Sequence, residues 1–223
     1  MAKTKTIENL FLILHYTSAC LFLFVYLLQF KVLKGVIALR LLVFYTILDI
    51  ILNLSDTISG DWYYYVWSTF TLIEYSCFAF FIYLSLKSKK AKNLIFILSL
   101  VFLFFTTVYN IYTNFKSYDS LPIGIETILI FIYSFYYLYE ETNDTTTVFI
   151  VSKYTFWIVI GFLIYLSGSF FFFILANGMG EDLLYEYWFI TNGFYSAMNF
   201  MFIIAIYLKS KDSKKPYKPN FIL

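Results

Sequence analysis

Three carboxylates in this chain stand where carboxylates are costly: Glu74, Glu126 and Asp49 each lie inside a long apolar run. An acid at the centre of a membrane-spanning helix costs on the order of 2.5–3.5 kcal/mol on insertion scales, unless a proton, a polar partner or water offsets it. Those remedies define the chemistry open to such residues: taking up and releasing a proton, coordinating a cation, or binding a polar ligand. The residues around them fall at helical spacing. Asp49, Asn53 and Asp56 repeat at i, i+4, i+7, and Asn192, Ser196 and Asn199 repeat the same interval, so each trio forms one helical stripe. Trp67, Thr71 and Glu74 share a third face, Ser99, Thr106 and Asn110 a fourth, and Glu126, Tyr133 and Tyr137 a fifth, while His15 and Ser18 mark the first run. Polar stripes of this kind are expected to face the interior of a bundle, because amides and carboxylates facing lipid lack partners.

The elements that must position them are apolar helices. The 223 residues are 61% hydrophobic and 13% charged, far from the roughly one-quarter charged composition of a soluble domain. With 28 Phe, 22 Tyr and 4 Trp, the chain also carries the ring types that suit a membrane interface or the wall of a polar cavity. A hydrocarbon core of about 30 Å takes roughly 20 apolar residues in a helix, and runs of that kind cover residues 9–30, 36–54, 62–86, 93–112, 121–139, 155–176 and 188–208. The expected fold is therefore all-α, an integral membrane bundle of seven transmembrane helices in residues 1–208, followed by a basic cytoplasmic tail at 209–223. The first run is read as an uncleaved span. It is too long for a signal-peptide core and continues past its small-residue cluster at Thr17–Cys20. Pro122 fits the first turn of the fifth span, Asn177 and Gly178 end the sixth, and Gly161 and Gly168, seven apart, read as a close-packing face. Cys20 and Cys77 both sit in apolar runs, which points to reduced thiols.

Charge orients the bundle, since cytoplasmic segments hold the excess of Lys and Arg. On one side lie Lys31, Lys34 and Arg40, then Lys87, Lys89, Lys90 and Lys92, then Lys153, then Lys209, Lys211, Lys214, Lys215 and Lys218. The other side has Lys3, Lys5 and Lys116. Thirteen of the 16 cationic residues thus predict an N-terminus outside and a C-terminus inside a cytoplasmic (inner) cell membrane. With about 1.5 Å of rise per residue, Asp49, Glu126 and His15 lie about 8 Å below the outer surface and Glu74 and Asn199 nearer the middle. The expected site is an outward-facing polar cavity built from Glu74, Glu126, Asp49, Asn53, Asn110, Asn192, Asn199, Trp67 and Tyr133. Phe78, Phe80, Phe81 and Leu84 would seal it below. Arg40 is expected to snorkel to the inner surface, and the Phe170–Phe173 run to face lipid.

Several functions are excluded by what the sequence lacks. A retinal protein needs a Lys inside its last span, and none precedes Lys209 there; one His cannot supply a three-ligand zinc site. No phosphate loop or nucleophile elbow occurs. The expectation is no cofactor, no metal, no nucleic acid and no enzyme activity. The segments Thr71–Tyr75 (TLIEY), Leu121–Glu126 (LPIGIE), Tyr136–Tyr139 (YYLY), Phe156–Gly161 (FWIVIG) and Ile164–Gly168 (IYLSG) resemble a family of small bacterial polytopic membrane proteins of unassigned activity. Members of that family are often encoded beside sensor kinases and response regulators. The resemblance covers the last two thirds of the chain and implies signalling by association, with a sensor kinase as a membrane partner; it assigns no residue a role. The leading expectation is a membrane sensor or receptor-like protein for an unidentified small-molecule ligand. A proton- or cation-coupled transporter and, third, an intramembrane acid–base enzyme acting on a lipid are the alternatives.

Overall fold

A computed structural model describes residues 2–54, 62–113, 120–144, 149–176 and 187–213. These residues form α1 (Ala2–Leu28), a single turn α2 (Phe30–Leu33), α3 (Ile37–Leu54), α4 (Trp62–Ser85), α5 (Lys89–Tyr112), α6 (Ser120–Thr142), a 3-10 turn (Ile150–Ser152), α7 (Tyr154–Ala176) and α8 (Phe189–Ser213), with no strand among them. Six helices, all but α3 of the long ones, are long and apolar enough to cross a membrane. The protein is an all-helical, multi-pass membrane bundle. Asp56, Lys116, Asn177, Gly178 and the tail from Lys214 onward lie outside the described residues.

Helix ends follow local chemistry. Helix α5 starts at Lys89, four residues before its apolar run, because Ser88 caps it through its side chain, which accepts from the Ala91 N–H at 3.4 Å. Glu140 at the end of α6 adds a second cap, accepting from the backbone N–H groups of Lys87 at 2.6 Å and Ser88 at 2.8 Å. Helix α8 runs on to Ser213, so the first part of the expected tail continues the helix.

Helices α1, α3, α4, α6, α7 and α8 form a ring in that order, α8 closing against α1, and α5 lies outside α4 and α6. The most extensive contact joins α7 to α8. It rests on the expected glycine face: the Phe194 ring occupies the space a Cβ at Gly168 would need, and a Cβ at Gly161 would meet Met198, Met201 and Phe202 at 3.2–3.3 Å. Below mid-height the ring is filled by an aromatic plug. Phe78 stacks on Phe162 at 4.0 Å, and Phe81, Phe202 and Phe22 continue the contacts. Only half of the expected seal is there: Phe80 and Leu84 are exposed on the outer face, and steps of about 100° per residue put Phe80 on the far side of α4 from Phe78. The Phe-rich end of α7 divides in the same way. Phe171 faces outward, whereas Phe172 turns inward against Trp188.

Candidate functional site

Above the plug the polar stripes converge. Glu74 projects from the inner face of α4, 7% exposed, and its Oε2 accepts from the Tyr45 hydroxyl at 2.7 Å and the Tyr165 hydroxyl at 3.3 Å. The carboxylate thus ties α3, α4 and α7 together. One turn beyond Tyr45 on α3, Asp49 is 4% exposed and meets His15 Nε2 of α1 at 3.0 Å, at ion-pair distance but without the alignment of a hydrogen bond. Asn53, one turn further, donates from Nδ2 to the Asp49 side chain at 3.0 Å and to its carbonyl at 2.9 Å.

Tyr195 of α8 closes the group. Its ring stacks on His15 at 4.3 Å and meets Tyr165 edge-on at 5.9 Å. Asp49 and Glu74 are close enough to act on each other, and both act on Tyr45, Tyr165 and Tyr195. Asn199, one turn from Tyr195, donates to Ser18 Oγ at 3.2 Å, and Ser18 donates to the His15 carbonyl at 2.9 Å. A single buried cluster therefore joins α1, α3, α4, α7 and α8. Thr46 Oγ1 and Asn199 Oδ1 beside it have no hydrogen-bond partner among the described residues. Buried polar atoms in that condition cost on the order of 1–3 kcal/mol each, and a proton relay, a water or a bound cation offsets such a cost.

The other expected residues are arranged around this cluster. Trp67 packs edge-on to Trp188 at 5.8 Å and to Phe70 at 5.9 Å, so it caps the cluster from the far end of α4. Asn192 is buried beneath Trp188, its carbonyl accepting from Ser196 at 2.7 Å. Glu126, 1% exposed, acts on Tyr165 of the Glu74 group and on Tyr75 of a second group, in which the Tyr75 hydroxyl bonds Ser99 at 2.9 Å and Tyr133 at 3.2 Å. Tyr133 thus belongs to the α4–α5–α6 contact. Asn110 is buried near the end of α5, where its side-chain oxygen has no partner among the described residues. Cavities of about 310 and 530 Å³ flank α4 on its outer side, toward α5 and α3 respectively.

Sequence reasoning missed two sets of residues. Tyr45, Tyr165 and Tyr195 were hidden among the many tyrosines, although Tyr45 continues the Asp49–Asn53 stripe by one turn and Tyr195 lies on the Asn192–Asn199 stripe. The second set is an ion network at the Lys-rich end. Glu141, almost fully buried, pairs with Lys87 at 3.4 Å and with Lys153, and Asp144 pairs with Lys87 and with Lys153 at 3.6 Å. The hydrogen bond from its Nζ to Asp144 raises the Lys87 pKa above the ordinary lysine value; desolvation opposes this and the Glu141 charge adds to it. Among the described residues no group of three His, Cys, Asp or Glu is arranged to hold a metal ion. No protein-family model, no curated protein and no solved structure matches the chain.

Proposed function

We propose that this protein is a multi-pass membrane sensor whose buried cluster of Glu74, Asp49, His15 and three tyrosines changes packing when it gains or loses a proton, a cation or a small polar ligand. The observation that carries this reading is that one carboxylate, Glu74, joins three helices through two tyrosine hydroxyls, beside a second carboxylate paired to a fourth helix. A change of charge at either acid alters contacts between α1, α3, α4, α7 and α8 together. Such a change has an effect only if the two packings bind the effector differently, and a cluster spread over five helices gives that difference a structural form.

In this reading α3 is the seventh span, with the N-terminus outside and the C-terminus inside, as the lysine distribution indicates. Output passes through helix contacts to a separate membrane protein, for which the family resemblance suggests a sensor kinase. The test is infrared difference spectroscopy of the protein in lipid nanodiscs between two pH values, and with and without Na⁺, for wild type, Glu74→Gln and Asp49→Asn. The expected result is a carboxyl C=O band that vanishes in one variant, together with tyrosine and amide bands that vanish with it. Identical difference spectra in all three proteins refute the switch. Transport would use the same acids; solute uptake into vesicles that depends on Glu74 would replace sensing by that reading.

A further inference from the structure

The outer side of α4 carries a feature that the buried cluster does not use. Between α4 and α5 runs a groove of about 310 Å³ whose lining includes Tyr75, Ala79, Phe80, Tyr83, Phe96 and Ser99. Phe80 is 45% and Phe96 60% exposed, so the groove opens sideways onto the face that meets lipid. From Tyr75 to Tyr83 it follows α4 for eight residues, about 12 Å at 1.5 Å per residue, close to the roughly 15 Å of hydrocarbon in one leaflet. Its deep end makes no polar demand. The Tyr75 and Ser99 hydroxyls bond each other at 2.9 Å, and Ser76 beside them donates to the Leu72 carbonyl at 2.7 Å. An apolar chain can therefore lie there without leaving a hydroxyl unsatisfied.

The other end is cationic. Lys92 holds its ammonium 5.3 Å from the centre of the Tyr83 ring, at the mouth of the groove. Lys89, Lys90 and Lys92 make no ion pair among the described residues, in contrast to Lys87 and Lys153, which the acids of α6 and Asp144 neutralise. We propose that this groove binds one acyl chain of an anionic phospholipid from the adjoining leaflet, with the headgroup phosphate held by Lys92. Acyl-chain length, lateral opening and a cation at headgroup depth all match that occupant; a zwitterionic lipid offers Lys92 the same phosphate but brings a cationic amine beside it, so it gains less from that charge.

Native mass spectrometry of the full-length protein released from detergent, titrated with phosphatidylglycerol or phosphatidylcholine, tests the site. The expected result is one phosphatidylglycerol retained in preference to phosphatidylcholine. Lys92→Gln weakens that retention about fivefold, the effect of one basic charge beside an anionic headgroup. Ala79→Leu, which fills the groove, removes the retained copy. Lys90→Gln, two residues away and on another face of α5, leaves it within about twofold. Equal losses in Lys90→Gln and Lys92→Gln would show a diffuse field instead of a site and overturn the proposal. So would equal retention of phosphatidylcholine, or a retained copy in a folded Ala79→Leu protein.

Discussion

Replacing Tyr45 by Phe removes one hydroxyl and leaves the ring, with its contacts to Phe70 at 5.8 Å and Phe78 at 5.1 Å, in place. The lost bond is the shorter of the two that Glu74 accepts, 2.7 Å against 3.3 Å from Tyr165. A hydrogen bond to a charged group is worth about 1.5–3 kcal/mol and one between neutral groups about 0.5–1.5 kcal/mol. The cost of Tyr45→Phe therefore reports the charge that Glu74 carries under the conditions of the assay. Tyr165→Phe, losing the longer bond, should cost less. The same substitutions in a Glu74→Gln background supply the neutral reference, so the difference between backgrounds isolates the contribution of charge. Reversible unfolding in mixed micelles, monitored by tryptophan fluorescence, gives each value. The geometry is wrong if Tyr45→Phe costs less than about 0.5 kcal/mol, or if Tyr165→Phe costs more than Tyr45→Phe. A positive result with equal costs in both backgrounds would instead show a neutral acid.

Three further outcomes are expected. Gly168→Ala places a methyl where the Phe194 ring lies and should cost about 1–3 kcal/mol, more than Gly161→Ala, where the added methyl meets its nearest neighbours at 3.2–3.3 Å; Phe194→Ala should recover part of the Gly168→Ala loss, as read by the same unfolding assay. His15→Ala takes away the ring that faces Asp49 and stacks on Tyr195 and should destabilise by about 1–3 kcal/mol, while His15→Ala with Asp49→Ala costs less than the sum of the two single changes. The third concerns alkaline pH. The folded-state pKa of Lys87 is raised by its bond to Asp144, so its contribution is complete below the unfolded lysine value of about 10.4 and is lost as pH rises through the folded value. Because Lys87 is half exposed, the contribution is no more than about 1 kcal/mol. Unfolding of wild type should lose that much stability above about pH 10.4, and Lys87→Gln should lose it at every pH and show a flatter alkaline limb.

The helices were legible because composition and periodicity dictate them: an apolar run bounded by lysines has few alternatives to a helix. Glu74, Asp49 and Asn199 were legible for a related reason, since a polar side chain inside such a run is either paired or functional. Their partners were harder to see. Tyr45 and Tyr195 contribute rings to the core and hydroxyls to the cluster, and hydropathy registers only a moderately apolar residue. His15 joins Asp49 across 34 residues of sequence, a pairing that depends on α1 lying next to α3 and not on any local pattern. The residues Glu140, Glu141 and Asp144 follow the fifth apolar run, and no spacing in the sequence singles them out. Their role follows from the approach of the α4–α5 connection to the end of α6, which spacing cannot reveal. Apolar character alone points Phe80 and Leu84 inward, whereas both are exposed, Phe80 on the opposite side of α4 from Phe78.

The double cap from Glu140 has a mechanical meaning. By holding the backbone at Lys87 and Ser88, while Glu141 and Asp144 hold Lys87 and Lys153, it riveted the α4–α5 and α6–α7 corners to each other at one end of the bundle. A helix fixed in this way cannot slide along its axis without breaking those contacts at once, but it can swing about them. Glu74 lies 13 residues from Lys87, a lever arm of about 20 Å at 1.5 Å per residue. A swing of only about 3° then displaces it by about 1 Å, enough to separate it from Tyr45. In the proposed switch the lysine-rich corner would serve as the fulcrum, with the buried acid on the long arm.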